Sequence, residues 1–180
     1  NSFDLKIMSE IFSMENEIGY HYEDLSDSKG DFTTAIDNFR SNLETFKKSF
    51  PIHTICMDGN ALSKWNNLLL WKKYDYRQFE IVGEPYLDIN FNKVLYLTDT
   101  GRKWNATKYS VYDKVDSAFN YHNKRTIDIL RDIESNNLPH QILMTTHPQR
   151  WTDKPLPWLR ELLMQNVKNV AKRVIIYSRK

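Results

Sequence analysis

The chain has a single cysteine, and this scarcity excludes a disulfide-stabilised fold. Cys56 is the only cysteine among 180 residues, and one thiol cannot form an intrachain disulfide framework. Because Cys56 lies within an apolar run, we interpret it as a buried thiol and not as a nucleophile. The sequence also contains no recognisable signal peptide. Both absences agree with a reducing compartment, and we therefore expect a cytoplasmic location.

Two further absences concern long hydrophobic runs and net charge. No run of 18 apolar residues occurs, so the sequence predicts no membrane span. The 25 basic and 23 acidic residues leave a formal net charge of +2, which gives no reason to expect nucleic acid as a partner. The basic residues near the carboxyl end are typical of a solvated helix face, and they are Lys168, Lys172, Arg173, Arg179 and Lys180.

The motifs of several common catalytic chemistries are also missing. The sequence has no Gly-rich phosphate loop, no CxxC, no HExxH and no nucleophile elbow. Nucleotide binding through a phosphate loop, thiol redox chemistry, HExxH proteolysis and serine hydrolysis on an elbow are therefore not indicated. Candidate functional residues must be sought in the layout of the fold.

Apolar periodicity along the chain predicts alternating helices and strands. Buried strands are predicted at 17–21, 52–57, 93–98 and 141–147. Helices are predicted at the amino end, after the cap residue Asp31, between Phe119 and Ile133, and from Pro155 onward. This alternation is typical of a parallel sheet with covering helices. We predict an α/β fold in a single domain over residues 1–180.

The remaining stretches carry finer predictions. Residues 24–30 are expected to form a polar loop, 61–73 a short helix, and 79–82 and 86–89 two short β-like segments. A long loop over 102–116 is more often functional than idle. The final helix is expected to bury an apolar stripe made of Leu159, Leu162, Leu163, Val167, Val170 and Val174.

A polar side chain stands at the end of each predicted strand: His21, Asp58, Asp99 and His147. The carboxyl ends of strands in α/β barrels and open sheets face the ligand site, so we expect these four side chains to converge. Two imidazoles and two carboxylates suit a first-row metal ion such as zinc. Taken singly, each aspartate could instead set a turn, and each histidine could be an ordinary hydrogen-bonded side chain.

Arg102 and four tryptophans are candidates for ligand binding. Arg102 supplies a planar, permanently charged fork that suits a carboxylate or phosphate ligand, or else a structural ion pair. Flat rings in loop-like stretches can stack on a sugar, or else pack as lids over long loops. The tryptophans in question are Trp65, Trp71, Trp104 and Trp151.

The phrase Glu-Ile-Gly-Tyr-His at 17–21 and the late strand ending at His147 together resemble the polysaccharide deacetylase superfamily, the chitooligosaccharide-deacetylase homology domain. Residues 17–21 match the start of its second motif, whose His binds the metal, and Met144 to His147 are similar to its late Leu-x-His motif. Longer phrases resemble a divergent branch from bacterial surface-polysaccharide gene clusters, and they lie at 54–59, 83–86 and 96–104. The resemblance covers most of the chain.

This resemblance implies a distorted (β/α) barrel with mainly parallel strands, long loops at their carboxyl ends, and a divalent metal, most simply zinc, at its mouth. It implies a hydrolase that removes acetyl groups from sugars of a surface polysaccharide or its precursor. His21 is then expected to be a metal ligand and His147 a general acid or a ligand. Asp58 and Asp99 are each candidates for a ligand or the general base, and Arg102 would orient a neighbouring carboxylate.

The sequence departs from the superfamily pattern at three motifs. The pair of aspartates of the first motif is missing, as is the second metal His shortly after His21, and no Arg-x-Pro-x-Gly occurs around Pro51. We therefore expect the first one or two barrel strands to be absent from this chain. Two alternatives remain open: a degenerate barrel that binds carbohydrate without a metal or catalysis, and a fragment that is inactive without its amino-terminal piece.

Overall fold

The computed structural model of the protein describes residues 4–102, 104, 110–121 and 125–178. The chain divides into two compact units, residues 1–89 (unit 1) and residues 90–180 (unit 2). Both combine helices with short parallel strands, so the α/β prediction is confirmed at that level. The single domain over 1–180 stays a prediction.

Unit 1 is built on a two-stranded parallel sheet. Its elements are α1 (Leu5–Ser13), β1 (Tyr20–Tyr22), α2 (Asp24–Asp27), α3 (Phe32–Lys47), β2 (Ile55–Met57) and α4 (Pro85–Asp88), with 3-10 turns at Asn67–Lys72 and Tyr76–Phe79. In the sheet Tyr20 lies opposite Ile55 and Tyr22 opposite Met57. The fully buried apolar side chains around it include Tyr22, Leu25, Phe39, Ile52, Ile55 and Met57.

The helix predicted after Asp31 is confirmed together with its cap. The Asp31 carboxylate accepts hydrogen bonds from the backbone N–H groups of Thr33 (2.9 Å) and Thr34 (3.1 Å), which satisfies donors that have no partner within the helix. The apolar spacing of three and four residues also predicts the buried face of α3, which consists of Ala35, Ile36, Phe39 and Leu43.

Some predictions in unit 1 are wrong, and at residues 86–89 the reason is local capping, which outweighs the apolar pattern. Residues 24–30, predicted as a loop, begin with α2, and the predicted β-like segment 86–89 lies largely in α4. Glu84 caps α4 by accepting hydrogen bonds from the N–H groups of Tyr86 (2.7 Å) and Leu87 (3.2 Å), and Pro85 suits the first helical position. Cys56 lies in β2 and is only partly buried.

Unit 2 repeats the plan of a parallel strand pair with a helical connection. Its elements are β3 (Leu95–Thr98), α5 (Thr126–Glu134), β4 (Ile142–Thr145) and α6 (Pro155–Ser178), with 3-10 turns at Thr100–Arg102 and Pro148–Arg150. Leu95 lies opposite Ile142 and Thr98 opposite Thr145. The core of this unit consists of Leu95, Leu97, Trp104 and Ile129.

The prediction for the buried face of α6 is wrong. Leu163 and Val167 of the expected stripe are 59% and 65% exposed, whereas the residues that α6 buries are Gln165 and Asn169. Gln165 donates a hydrogen bond to the Asn169 side chain (2.8 Å), and Asn169 donates to the carbonyl oxygen of Gly101 (3.0 Å). A specific polar contact therefore decides which face of this helix packs. No helix within the described residues is long and apolar enough to span a bilayer.

Candidate functional site

The ends of β3 and β4 bring Asp99 and His147 together. Asp99 directly follows β3, and its backbone N–H donates to the carbonyl oxygen of Thr145 (3.2 Å). The backbone N–H of His147 donates to Asp99 Oδ2 (3.0 Å), and the Nδ1 atom of His147 is hydrogen-bonded to Asp99 Oδ1. The ends of these two parallel strands therefore bring the Asp99 and His147 side chains into contact.

Two further side chains hold the Asp99 carboxylate. Arg150 donates from Nη1 to the backbone oxygen of Asp99 (2.7 Å) and to its Oδ1 (3.1 Å). The indole N–H of Trp151 lies 3.4 Å from Oδ2. Burial alone would raise the pKa of Asp99, but the hydrogen bonds and charges of His147 and Arg150 lower it below the ordinary value. Asp99 is therefore a carboxylate at neutral pH.

Arg150 lies between two acidic groups, Asp99 and Glu161. Its side chain is 12% exposed, and its Nε atom lies 3.7 Å from a carboxylate oxygen of Glu161. Burial lowers the pKa of Arg150, and the two carboxylates counteract that shift. A buried guanidinium with two acidic partners keeps its charge, so the Asp99–His147 pair carries a permanent positive neighbour.

A cleft of about 600 Å³ opens beside this pair within unit 2. Four predicted site residues line it, namely Asp99, Arg102, Trp104 and Trp151. Arg150 and Trp158 also line it, and sequence reasoning had not selected either of them. Arg150 lies three residues after His147, in a turn that begins at Pro148. That spacing could have indicated that the Arg150 side chain lies near His147. Trp158 lies in the first turns of α6. Because its neighbours in the sequence are apolar, it could not be told apart from the residues expected to pack.

The described tryptophans differ in how firmly they are held. The indole N–H of Trp104 donates to Thr126 Oγ1 (3.0 Å), and its ring is buried. Trp151 is exposed at the cleft. In unit 1, Trp71 packs edge-on against Phe39 and donates from its indole nitrogen to the Tyr22 hydroxyl (2.8 Å), which favours the packing interpretation for Trp71.

Trp65, also in unit 1, covers the backbone of Gly30. Gly30 has φ +86°, and a Cβ atom built there would lie 2.3 Å from the Trp65 ring. Only glycine suits both the left-handed backbone and the close approach. Trp65 is nevertheless 38% exposed, so its proposed contact with sugar stays a prediction.

The second His–Asp pair lies in unit 1. His21 occupies the middle of β1 and not its end, and Asp58 directly follows β2. His21 Nδ1 lies 2.9 Å from the Cys56 carbonyl oxygen, and Nε2 lies 3.5 Å from Asp58 Oδ2. Both side chains are exposed, at 61% and 41%.

The predicted metal ligands are divided between the two units. His21 and Asp58 lie in unit 1, and His147, with Nδ1 engaged by Asp99, lies in unit 2. Across residues 4–102, 104, 110–121 and 125–178, no group of three or more His, Cys, Asp or Glu side chains could hold a metal ion. Of the predicted metal ligands, unit 1 thus contains one imidazole, that of His21, and one carboxylate, that of Asp58.

Glu84 is a buried carboxylate that sequence reasoning missed. Besides capping α4, it accepts a hydrogen bond from the N–H of Met57 in β2 (3.0 Å). Burial raises the pKa of Glu84 to about 7, although the backbone N–H donors act in the opposite direction. Its contacts join α4 to β2, so its role is structural.

Comparison with known proteins identifies no relative of this chain. No protein-family model, no curated protein and no solved structure matches the chain. The resemblance to polysaccharide deacetylases therefore stays a prediction, and the functional argument rests on the geometry of the two units.

Proposed function

We propose that the chain is a metal-dependent hydrolase resembling the polysaccharide deacetylases, which removes acetyl groups from sugars of a surface polysaccharide or its precursor. The observation that carries the proposal is the His147–Asp99 pair, which lies where β3 and β4 end and next to a cleft lined by three tryptophans. Rings of this kind can stack on sugar faces.

His147 is the general acid of the proposed reaction. Asp99 engages Nδ1 and so leaves Nε2 as the nitrogen that can give a proton to the departing sugar oxygen or nitrogen. Asp99 is itself bound by Arg150 and Trp151. These contacts support a positioning role for Asp99, which holds the imidazole in one orientation.

The metal requirement is a separate part of the proposal and concerns unit 1. His21 and Asp58 would be two of the ligands, and the Cys56 carbonyl oxygen at Nδ1 (2.9 Å) is the kind of partner that orients metal-binding histidines. The chemistry that zinc would supply when bound by these residues is Lewis-acid activation of a water. Asp58 is also a candidate for the general base.

The proposal extends to the fold. Each unit contains a parallel strand pair with helices in its connection, and this is the repeating element of a (β/α) barrel. A distorted (β/α) barrel is therefore the fold that we propose.

Acetate release is the direct test of the hydrolase. We expect the protein to release acetate from chitin oligosaccharides or from an O-acetylated xylan in the presence of zinc. His147→Ala should lower kcat by about 10²–10⁴-fold, the usual contribution of a general acid. His140→Ala is the matched control, because His140 is an exposed histidine of the same unit, and it should leave kcat unchanged.

Two outcomes would refute this proposal. If the wild-type protein releases no acetate from either substrate with zinc present, the chain is no deacetylase. If calorimetric titration shows zinc binding that survives both His21→Ala and Asp58→Ala, the metal ligands have been assigned to the wrong residues.

A second function, carbohydrate binding without catalysis, is favoured by the way the tryptophans are held. Trp104 is fixed by Thr126, and the Trp158 ring lies under the Arg102 guanidinium at 5.2 Å. Trp151 and Trp158 are the exposed rings of this cleft on which a sugar could stack. In that case saccharides would quench tryptophan fluorescence, Trp151→Ala would abolish the quenching, and elemental analysis would find no stoichiometric metal.

A further inference from the structure

We infer that the sugar bound in the cleft of unit 2 carries an anionic group, a carboxylate or a phosphate, which pairs with the guanidinium of Arg102. This inference rests on the proposed carbohydrate function of the same cleft. It adds a substrate class, acidic sugars, that removal of an acetyl group does not itself require.

Three arginines line the cleft, and two of them already have acidic partners. Arg125 donates to both carboxylate oxygens of Asp128, from Nε (3.0 Å) and Nη2 (2.8 Å). Arg150 is paired with Asp99 and Glu161. Among the described residues, Arg102 forms no ion pair. It is therefore the arginine of this cleft that is left to pair with a ligand, while Asp153 is a second carboxylate in the lining besides Asp99.

The Nη1 atom of Arg102 is buried and has no hydrogen-bond partner among the described residues. Folded proteins rarely leave a buried polar atom unpaired, because removing it from water without a new partner is costly, and more so for a charged group. Arg102 is partly exposed and lines the cleft, so a ligand bound there can approach its guanidinium. A neutral sugar hydroxyl would satisfy the hydrogen bond, but only an anion would also satisfy the charge.

The backbone of Arg102 is held in an unusual conformation. Its φ is +59°, in the left-handed region that non-glycine residues seldom occupy. The Arg102 N–H donates to the Asp99 carbonyl oxygen (2.9 Å), and the buried Asn169 amide donates to the preceding carbonyl, that of Gly101 (3.0 Å). Strain of this kind persists where surrounding contacts enforce it, and it is concentrated at binding sites.

The side chain of Arg102 is positioned as well. Its guanidinium carbon lies 5.2 Å from the centroid of the Trp158 ring, within the range of a cation–π contact. The ring covers one face of the fork, while the N–H groups at its edge can donate to two oxygens of a carboxylate or phosphate. Asp99 does not compete for them, since its carboxylate is bound by His147 and Arg150.

Binding of acidic and neutral sugars tests the inference. We expect the wild-type protein to bind glucuronate or glucose 6-phosphate at least about tenfold more tightly than glucose in calorimetric titrations. Arg102→Gln should remove that preference and change glucose affinity less than about twofold. Arg131→Gln is the matched control, because it removes the same charge from an exposed side chain (66%) of α5, and it should leave the preference intact.

Two additional probes separate the sources of the anion and guard against a folding defect. Tighter binding of glucuronate than of glucose 6-phosphate would assign a carboxylate, and the reverse order a phosphate. If circular dichroism shows that Arg102→Gln does not fold, the salt dependence of sugar binding to the wild-type protein is the test instead. Raising the NaCl concentration should weaken the binding of the acidic sugar to the wild-type protein and leave the binding of glucose unaffected.

The inference is overturned if wild-type affinities for glucose and both acidic sugars are equal or undetectable, or if Arg102→Gln keeps the preference. Equal loss in Arg131→Gln would also overturn it, since the effect would then come from net charge. If inorganic phosphate binds as tightly as glucose 6-phosphate, the sugar contributes nothing to affinity, and the inference of an acidic sugar is overturned. Failure of the acetate assay with the preference intact would refute only the hydrolase.

Discussion

Each of the two units contains a His–Asp pair, and the two pairs differ in how far they are buried. Each unit places one histidine and one aspartate at or near the ends of two parallel strands. In unit 1 the His21 and Asp58 side chains are 61% and 41% exposed, and in unit 2 those of His147 and Asp99 are 32% and 10% exposed. An exposed pair is screened by water and weakly oriented, whereas a half-buried pair has a defined geometry. Burial is therefore what separates a candidate catalytic pair from a surface contact.

The segment that follows each strand explains this difference. After β4, Pro148 begins a 3-10 turn in which the Arg150 N–H donates to the His147 carbonyl oxygen (3.0 Å). This turn directs the Arg150 guanidinium back to Asp99. After β2, the Asp58 side chain forms its one ion pair within the described residues with His21. A proline-initiated turn with a cation three residues after the histidine thus completes the unit 2 pair.

The largest effect should come from removing one aspartate at a time. Asp99→Ala leaves the buried Arg150 guanidinium with Glu161 as its remaining carboxylate partner, and we expect the loss of the charged hydrogen bonds to lower the free energy of unfolding by about 1.5–3 kcal/mol. Asp58→Ala removes an exposed contact and should cost less than about 1 kcal/mol. Urea denaturation of both variants measures the difference. Equal losses would show that burial does not distinguish the two pairs.

The buried carboxylates of the two units should respond to pH in opposite directions. The pKa of Glu84 is raised from 4.5 to about 7 by burial. The folded state then binds more protons than the unfolded state between these values, so stability should fall as pH rises, by at most about 3 kcal/mol. For Asp99, hydrogen bonds and charges lower the pKa despite desolvation. Its contribution is present above its ordinary pKa of 3.8 and is lost as pH falls through the lower folded value.

Thermal denaturation between pH 3 and pH 8 separates the two contributions. The difference between the wild-type protein and Glu84→Gln should change mainly between pH 4.5 and pH 7. The corresponding difference for Asp99→Asn should change only in more acidic solution. If the difference in stability between the wild-type protein and Glu84→Gln is independent of pH, then the three backbone N–H donors offset the effect of burial on the pKa of Glu84.

A smaller effect should distinguish the two faces of α6. Asn169→Ala removes the hydrogen bond to the Gly101 carbonyl in a buried position, and we expect a loss of about 1–2 kcal/mol in unfolding free energy. Val167→Ser lies on the exposed apolar face and should change stability by no more than about 0.5 kcal/mol. The reverse order in urea denaturation would mean that the apolar stripe is the packed face after all.

Sequence reasoning succeeded where the cause of a structure lies within a few residues. The Asp31 cap and the apolar spacing after it predicted α3, and the short apolar runs predicted where β3 and β4 form. It failed at α4, where an acidic cap and a proline outweighed β-compatible residues. Composition also cannot say which loop tryptophans turn inward, as Trp71 does against Phe39.

The amino-acid sequence by itself determined most of the helices and strands, their order and the presence of a histidine or aspartate near each strand end, because caps and periodicity act over three or four residues. Only the tertiary structure decided which partners those side chains take. Arg150 and Asp99 are 51 residues apart, and Asn169 and Gly101 are 68 apart. Contacts of such separation follow from the packing of whole elements, and that packing set the charge of the cleft and the buried face of α6.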